Sequence, residues 1–459
     1  MELNTANLLD YLAEFACNLK YEDLPEEVVR EAKRRIFDSL GCLIMGARHD
    51  EAVKLVRHGM AGKEWQTQLV NGFAISMDGS YSLENAAYLN THSIRALDWN
   101  DTYLSLEPAH PSDNIGAILA LAGVCSGKEL ITASVLAYDI QCRFCDAFSL
   151  RKEGWDHVGY LEISSALATG KIMRLDFKKM RHAASLALRF SFLRQIRAGN
   201  SLSNAKGLSA AEAVMLGVHS VLEASWGVTG PEEILEGECG FIKQCAGEQK
   251  FEVGAFENLG SDFKLFTTHI KFFPVEYHAQ SAVWSALGLR EMLGGGADTE
   301  KIKEIKIISS EAAKNIIGGE QKKEVKTKES ADHSIFYITA VVLADGELTL
   351  KQYDPIRFSD PKIISLMDLM TIQESPNYSR AYCFKMAPEF GVTLVCRMRN
   401  GELCVSGEHV YPKGHFANPL SDKKLKNKFG EPMDWLDFVW SLEKLNAKDL
   451  YWILRDLKV

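Results

Sequence analysis

The 459-residue chain contains no uninterrupted apolar run approaching the roughly 18 residues of a membrane-spanning helix, so no such helix is expected. Its first residues, "MELNTANLLDYLAEFACNLKYEDLPEEVVREAKRRIFDSLGCLIMGA", lack a basic region followed by an apolar signal core. They read instead as amphipathic helices with acidic starts and basic ends. Positive charge is not in excess. A formal net charge of -9 argues against nucleic acid or an anionic membrane as the main partner, while leaving room for a few local cations to hold a small anion. The ten cysteines stand in apolar context with no paired zinc spacing; Cys142 and Cys145 form an isolated C-x-x-C in "DIQCRFCDAF". Buried, reduced thiols in a cytoplasmic protein are the expectation. There is no P-loop, no G-x-G-x-x-G, no G-x-S-x-G and no H-E-x-x-H, which removes the commonest nucleotide, hydrolase and metal signatures. Neither a fixed-period repeat nor a low-complexity tract occurs.

What is present is core-forming text. With 46% hydrophobic and 25% charged residues the composition is that of a globular protein with a substantial core. Residues 5 to about 265 are mostly helix-period, with Ala- and Leu-rich segments such as "NIGAILALAGVCSG" and "AAEAVMLGVHSVLEAS". After about residue 268 the character changes. "IKEIKIISS" alternates and is β-branched, "IFYITAVVLADGELTL" carries an Asp-Gly turn and reads as strand, and Asn400-Gly401 centres a hairpin. From "YPKGHFANPLSDKKLKNKFGE" onward the text turns helical again, and so short a tail needs an existing core to join. The expected division is a helical domain over 1–267, an α+β domain over 268–405 and a C-terminal return to the helical domain over 406–459.

Five segments collect chemistry. In "ALDWNDTYLSLEPAHPSDNIGAILALA", Asp98 and Thr102 share a face if the stretch makes a helical turn, and Ser112 or Asp113 is the expected cap of the helix that follows. His110 then stands just before free backbone N–H groups, a natural anion site. A carboxylate, a hydroxyl and an imidazole there can exchange protons, although a capped, solvated loop accounts for the same residues. His157 lies in a loop that leads into a helix, where a lone histidine is as readily structural. Arg194, Arg197 and Lys206 read as surface charge, or, for Lys206, as a cation reaching inward from a helix start toward a carboxylate. Lys271 is embedded among aromatics in "THIKFFPVEYHAQSA", where an ammonium has an anionic partner, and His278 begins the next helix. His333 and Tyr337 flank the start of the strand-like run.

Taken in order, these segments resemble the MmgE/PrpD family. The matching text is "ALDWNDT", "HPSDN", "NAKGLSAA", "GVTGPEEILEGECGF", "KFFPVEYHAQSA", "DHSIFYITAV" and "YPKGHFANPLSDKKLKNKF", with "AKRRIFDSLGCLIMGA" near the N-terminus. The resemblance implies a mainly α protein, a large all-helical domain discontinuous in sequence plus a smaller α+β lid domain, with the active site between them. It also implies a cytoplasmic homodimer working on a small tricarboxylate, without cofactor, metal, nucleic acid or membrane. Members dehydrate 2-methylcitrate, decarboxylate cis-aconitate or epimerise iminodisuccinate; a non-catalytic tricarboxylate binder is the alternative of another class. The spacer "YLSLEPA" ahead of His110, "KFFPVEYHAQSA" and "YPKGH" are most similar to the dehydrating members. By position, Asp98, His110, His157 and Tyr337 correspond to catalytic residues, and Thr102, Lys206, Lys271 and His278 to substrate-binding ones. Asn100 stands where many members have a second aspartate, and Glu276 where the decarboxylating members have their histidine. Either Asp98 or His110 then serves as base and either His157 or Tyr337 as acid, with Lys206, Lys271 and the helix start after His110 holding carboxylates.

Overall fold

The computed structural model describes residues 3–61, 71–79, 81–189, 192–198, 202–384, 387–431 and 433–457. The chain divides into two compact units. The first comprises Met1–Arg197, Asn204–Thr268 and Leu425–Val459, and the second Ala198–Ser203 and His269–Lys424.

The first unit is built from helices α1 (Thr5–Asn18), α2 (Glu26–His49), α3 (Glu51–Met60), α4 (Leu83–Arg95), α5 (Ile115–Ala120), α6 (Gly127–Ala147), α7 (Gly159–Ile172), α8 (Phe177–Ala187), α9 (Ala205–Ser225) and α10 (Phe241–Ala246). A two-residue ribbon, β1 (Asn71–Gly72) antiparallel to β2 (Tyr81–Ser82), precedes α4. Helix α4 is the hub, packing on α2, α5 and α9, while α7 packs on α6, α8 and α9. Small residues permit this closeness: a Cβ on Gly116 of α5 would fall 2.1 Å from the Thr91 hydroxyl of α4. Helices α5, α6 and α7 are buried nearly all round, which explains why their text is apolar without a polar stripe.

The second unit carries α11 (Gln280–Met292), β3 (Ile302–Ser309), α12 (Glu311–Ile317), α13 (Lys328–Ala331), α14 (Ile335–Asp345), α15 (Pro361–Asp368), β4 (Met370–Glu374), α16 (Pro376–Phe384), β5 (Thr393–Met398) and β6 (Leu403–Val405). Its sheet runs β4-β3-β5-β6, with β3 and β4 parallel and the other pairs antiparallel. Gly401, at φ +93°, turns the β5–β6 hairpin. The architecture is thus mainly α with a smaller α+β part.

Two expectations change. "IFYITAVVLADG" is helix α14, not strand. Every residue from Ile335 to Leu343 is buried, and a segment buried all round shows neither period. Ser334 caps it by accepting from the Tyr337 N–H at 3.2 Å, and Gly346, at φ +82°, ends it. The second unit also runs on to Lys424 rather than 405. Residues beyond 405 stay hydrogen-bonded to it: the Phe390 N–H donates to the Val410 carbonyl at 2.8 Å and the Ile270 N–H to the Gly414 carbonyl at 2.9 Å. The return to the first unit is made by α17 (Asp422–Lys426), the helical stretch Asp434–Lys444 and α18 (Ala447–Arg455). The Lys33 ammonium of α2 donates to the Trp440 carbonyl at 3.0 Å, and a Cβ on Gly127 would meet the Leu442 carbonyl at 1.7 Å. Among the described residues no helix is long and apolar enough to cross a membrane.

Candidate active site

In the first unit the chain leaves α4 at Arg95 and makes a tight, buried excursion to α5. Asp98 sits at φ +50°, a conformation few non-glycine residues adopt, so Asp98 and Thr102 do not share the expected helical face. The strained position is held from both sides. The Asp98 carboxylate accepts from the Arg95 guanidinium at 2.9 Å and from the Lys206 ammonium, in the first turn of α9, at 3.1 Å. All three groups are buried. The inward reach of Lys206 toward a carboxylate is therefore observed, and the carboxylate is Asp98.

The next residues organise the segment before α5. Asn100 donates from its amide to the Ser112 hydroxyl and to the Asp113 carboxyl, both at 2.9 Å. Asp101 accepts the Ser112 N–H at 3.0 Å and the Tyr138 hydroxyl of α6 at 2.8 Å, with the Arg35 guanidinium of α2 at 3.9 Å. This overturns two expectations. Pro111–Asn114 is a short 3-10 turn with no side-chain cap of its own, because Asp101, eleven residues upstream, takes the Ser112 N–H instead. That N–H is consequently spent on a protein carboxylate and is not an open anion site. The Thr102 hydroxyl donates to the Ala109 carbonyl at 3.0 Å, closing the base of the loop that delivers His110.

His110 Nδ1 lies 2.6 Å from the Asp101 main-chain oxygen. A carbonyl oxygen only accepts, so Nδ1 carries a proton, and in the neutral form of the ring the lone pair is on Nε2. The His157 ring meets it edge-on, with centroids 5.6 Å apart. His157 is buried, and its Nδ1 has no hydrogen-bond partner among the described residues. Burial first, then Arg197, with Arg95 and Arg194 behind it, pushes this imidazole well below its ordinary range; only Asp156 opposes them. Asp156 is itself tied to the Arg197 guanidinium, which also donates to the Ser209 hydroxyl of α9 at 2.6 Å. Arg197 is therefore a partly buried cation paired within the fold, not free surface charge. Asp113 completes the cluster: burial raises its carboxyl to about 7, against the pull of Arg95. Arg95 thus acts on Asp98, Asp113 and His157 together.

The second unit holds the other three candidates. Lys271 is buried. His278 Nδ1 lies 2.8 Å from a Glu276 carboxylate oxygen, and the other oxygen accepts the His278 N–H at 2.8 Å. Tyr337 is not available as an acid. It is fully buried in the core of its unit, its hydroxyl donates to the Gln352 carbonyl, and its ring packs edge-on to Phe358. Burial raises that phenol further above its ordinary value. The C-x-x-C is likewise inert: Cys142 and Cys145 are buried in α6 with thiols pushed well above the usual range by burial.

Arg95, Asp113, Asp156 and Glu276 were not singled out from the sequence as site residues. Arg95 is three residues before Asp98 and Asp156 immediately precedes His157, signals that were there to be read. Nothing local tells that Arg197 or Tyr138 converges on the same segment.

In sum the first unit sets two imidazoles, one with a defined acceptor nitrogen, among Arg95, Arg197 and Lys206. Such a cluster can move protons beside a carboxylate. Residues 10–254 match the model of the MmgE/PrpD N-terminal domain and residues 273–435 that of the C-terminal domain. The chain is 28% identical over 443 residues to 2-methylcitrate dehydratase of Escherichia coli strain K12, covering 92% of this chain and 88% of that protein. It is 28% identical over 431 residues to the mitochondrial 2-methylcitrate dehydratase of Yarrowia lipolytica, covering 90% and 81%. The 2-methylcitrate dehydratase of Cupriavidus necator is 28% identical over 402 residues, covering 84% and 81%. The chain belongs to the MmgE/PrpD family and is an enzyme of the dehydratase, or hydro-lyase, type.

Proposed function

We propose that the chain dehydrates a small tricarboxylate, 2-methylcitrate to 2-methyl-cis-aconitate, without a metal. The observation that carries the reading is the His110 Nδ1 contact with the Asp101 carbonyl, which makes Nε2 the proton-accepting atom. His110 removes the proton from the carbon beside the carboxylate, the electron pair forms the double bond, and the hydroxyl on the neighbouring carbon leaves with a proton as water. A proton beside a carboxylate is weakly acidic, so the charge gathering on that carboxylate must be stabilised. Fixed cations do this most strongly where water is excluded. Lys206 is the candidate in the first unit, and Lys271 is assigned to the same task by its position in the family motif. Asp98 holds Lys206 and Arg95 in place rather than acting as base, because both carboxylate oxygens are taken by cations.

The test is to mix chelator-treated protein with 2-methylcitrate and follow the near-ultraviolet absorbance of the conjugated alkene. A rise that survives chelator is expected. No rise withdraws the substrate, and turnover of cis-aconitate or iminodisuccinate would then reassign it; a rise abolished by chelator and restored by a divalent ion withdraws the metal-free step.

A further inference from the structure

The segment "FPVEYHAQ" builds a pair that the reaction scheme above does not use. Glu276 stands at the N-terminal end of the turn Tyr277–Ala279, itself anchored by its N–H to the Asp332 carbonyl at 3.1 Å. Its two carboxylate oxygens face the same residue, one on the His278 N–H and one on Nδ1. Three atoms of the local backbone and ring are thereby tied together, so the imidazole cannot rotate without breaking two hydrogen bonds. Phe390 and Tyr382 pack against the ring, with centroids 5.5 Å away in both cases.

The consequence lies at the other nitrogen. His278 is 4% exposed, and its Nε2 has no hydrogen-bond partner among the described residues. A buried polar atom left unpaired is unfavourable by about 1–3 kcal/mol, and native structures retain such atoms where something else completes the bond. Burial alone would raise Glu276, yet His278, the hydrogen bond to it, His333 and Lys271 hold the carboxylate below its usual range. Both its oxygens are placed to accept from His278, one from the N–H and one from Nδ1–H. With Nδ1 anchored on Glu276, Nε2 is the ring nitrogen left to meet another group.

We infer that Glu276 is a positioning residue that presents His278 Nε2 as the proton donor for the hydroxyl leaving in the dehydration. The inference rests on the dehydratase reading and replaces Tyr337 in the acid role. In this step the imidazolium gives its Nε2 proton to the hydroxyl oxygen, the C–O bond breaks with its electron pair going to that oxygen, and water departs. The carbon-bound proton goes to the base, and solvent exchange restores both groups. The other charged or titratable groups acting on the pair are Lys271, His333 and Tyr382.

The test compares Glu276→Gln and Glu276→Asp with the wild-type enzyme. Glutamine keeps the size and an accepting oxygen but removes the negative charge that faces Nδ1. We expect kcat to fall at least tenfold with KM within twofold, and the alkaline limb of the kcat profile to move to lower pH. Glu276→Asp is expected to recover part of both effects. Equal kcat and an unmoved limb in folded Glu276→Gln overturn the inference. Nitrogen-15 resonances of His278, assigned with His278→Gln, give a readout independent of turnover. A proton on Nδ1 in the wild-type protein is expected, and a neutral ring protonated on Nε2 overturns the inference whatever the substrate proves to be. Absence of turnover in the wild type with Nδ1 protonated sinks the dehydratase reading instead, and with it the leaving-group step.

Discussion

His110 and His278 are anchored through the same nitrogen by different partners, and the difference separates their chemistry. In the first unit Nδ1 faces a neutral main-chain carbonyl, in surroundings where Arg95, Arg194 and Arg197 act on the neighbouring imidazole. In the second unit Nδ1 faces a carboxylate held ionised by its own cations. A carbonyl fixes a tautomer without rewarding the added proton; a carboxylate rewards it. On the proposed reading the two rings take opposite roles, His110 accepting a proton and His278 donating one, so that one residue type supplies both base and acid.

The sharpest way to break this comparison is at the proposed base. His110→Gln should lower kcat for 2-methylcitrate by about 10²–10⁴-fold with a modest change in KM, the range of a positioned proton-transfer group. Steady-state kinetics decide it, and a variant with near wild-type kcat would remove His110 from the base role.

Next in size is the support under the first unit's cluster. Asp98→Ala leaves Arg95 and Lys206 buried without their shared carboxylate, and loss of one partner from such a pair is destabilising by about 3–5 kcal/mol. Urea unfolding should show a midpoint shift of that order. A shift under 1 kcal/mol would mean that water or another group already compensates the two cations.

Asp113 tests the burial of the cluster through pH. Its carboxyl is raised to about 7 in the folded chain, so between its unfolded value near 3.9 and 7 the folded state binds more protons than the unfolded one. Its contribution is full below that window and is lost as pH rises through it. Asp113→Asn should flatten the decline in unfolding free energy across this window, by up to about 1.4 kcal/mol per pH unit. Chemical denaturation at stepped pH measures the slope, and an unchanged slope would mean Asp113 ionises freely.

The smallest effect is expected at Tyr337. Tyr337→Phe removes a donor to the Gln352 carbonyl and should lower stability by about 1–3 kcal/mol while leaving kcat within about twofold. A hundredfold loss of kcat in a stable variant would return this residue to the acid role and undo the assignment of His278.

Much of this was legible in the chain itself. Composition and period foretold a helical region followed by a mixed one, and the dense text from Asp98 to His110 marked a polar excursion between helices. Lys206 was readable as an inward cation because it opens a helix among small residues. Helix α14 was not readable, since a segment buried on every side carries no polar stripe to reveal its period. Nor was the end of the second unit, because residues 406–424 are held by hydrogen bonds to Phe390, Val392 and Ile270 rather than by any pattern of their own.

What the sequence by itself determined was local: which stretches are apolar, where helices can begin, and which residues are able to transfer a proton. Which nitrogen of His110 carries its hydrogen was decided only in three dimensions, by an Asp101 carbonyl turned toward the ring. The same holds for Tyr337, whose hydroxyl is chemically fit to be an acid but finds the Gln352 carbonyl at the bottom of a core. A side chain's type sets what it can do, and its buried partners, drawn from distant parts of the chain, set which of those things it does.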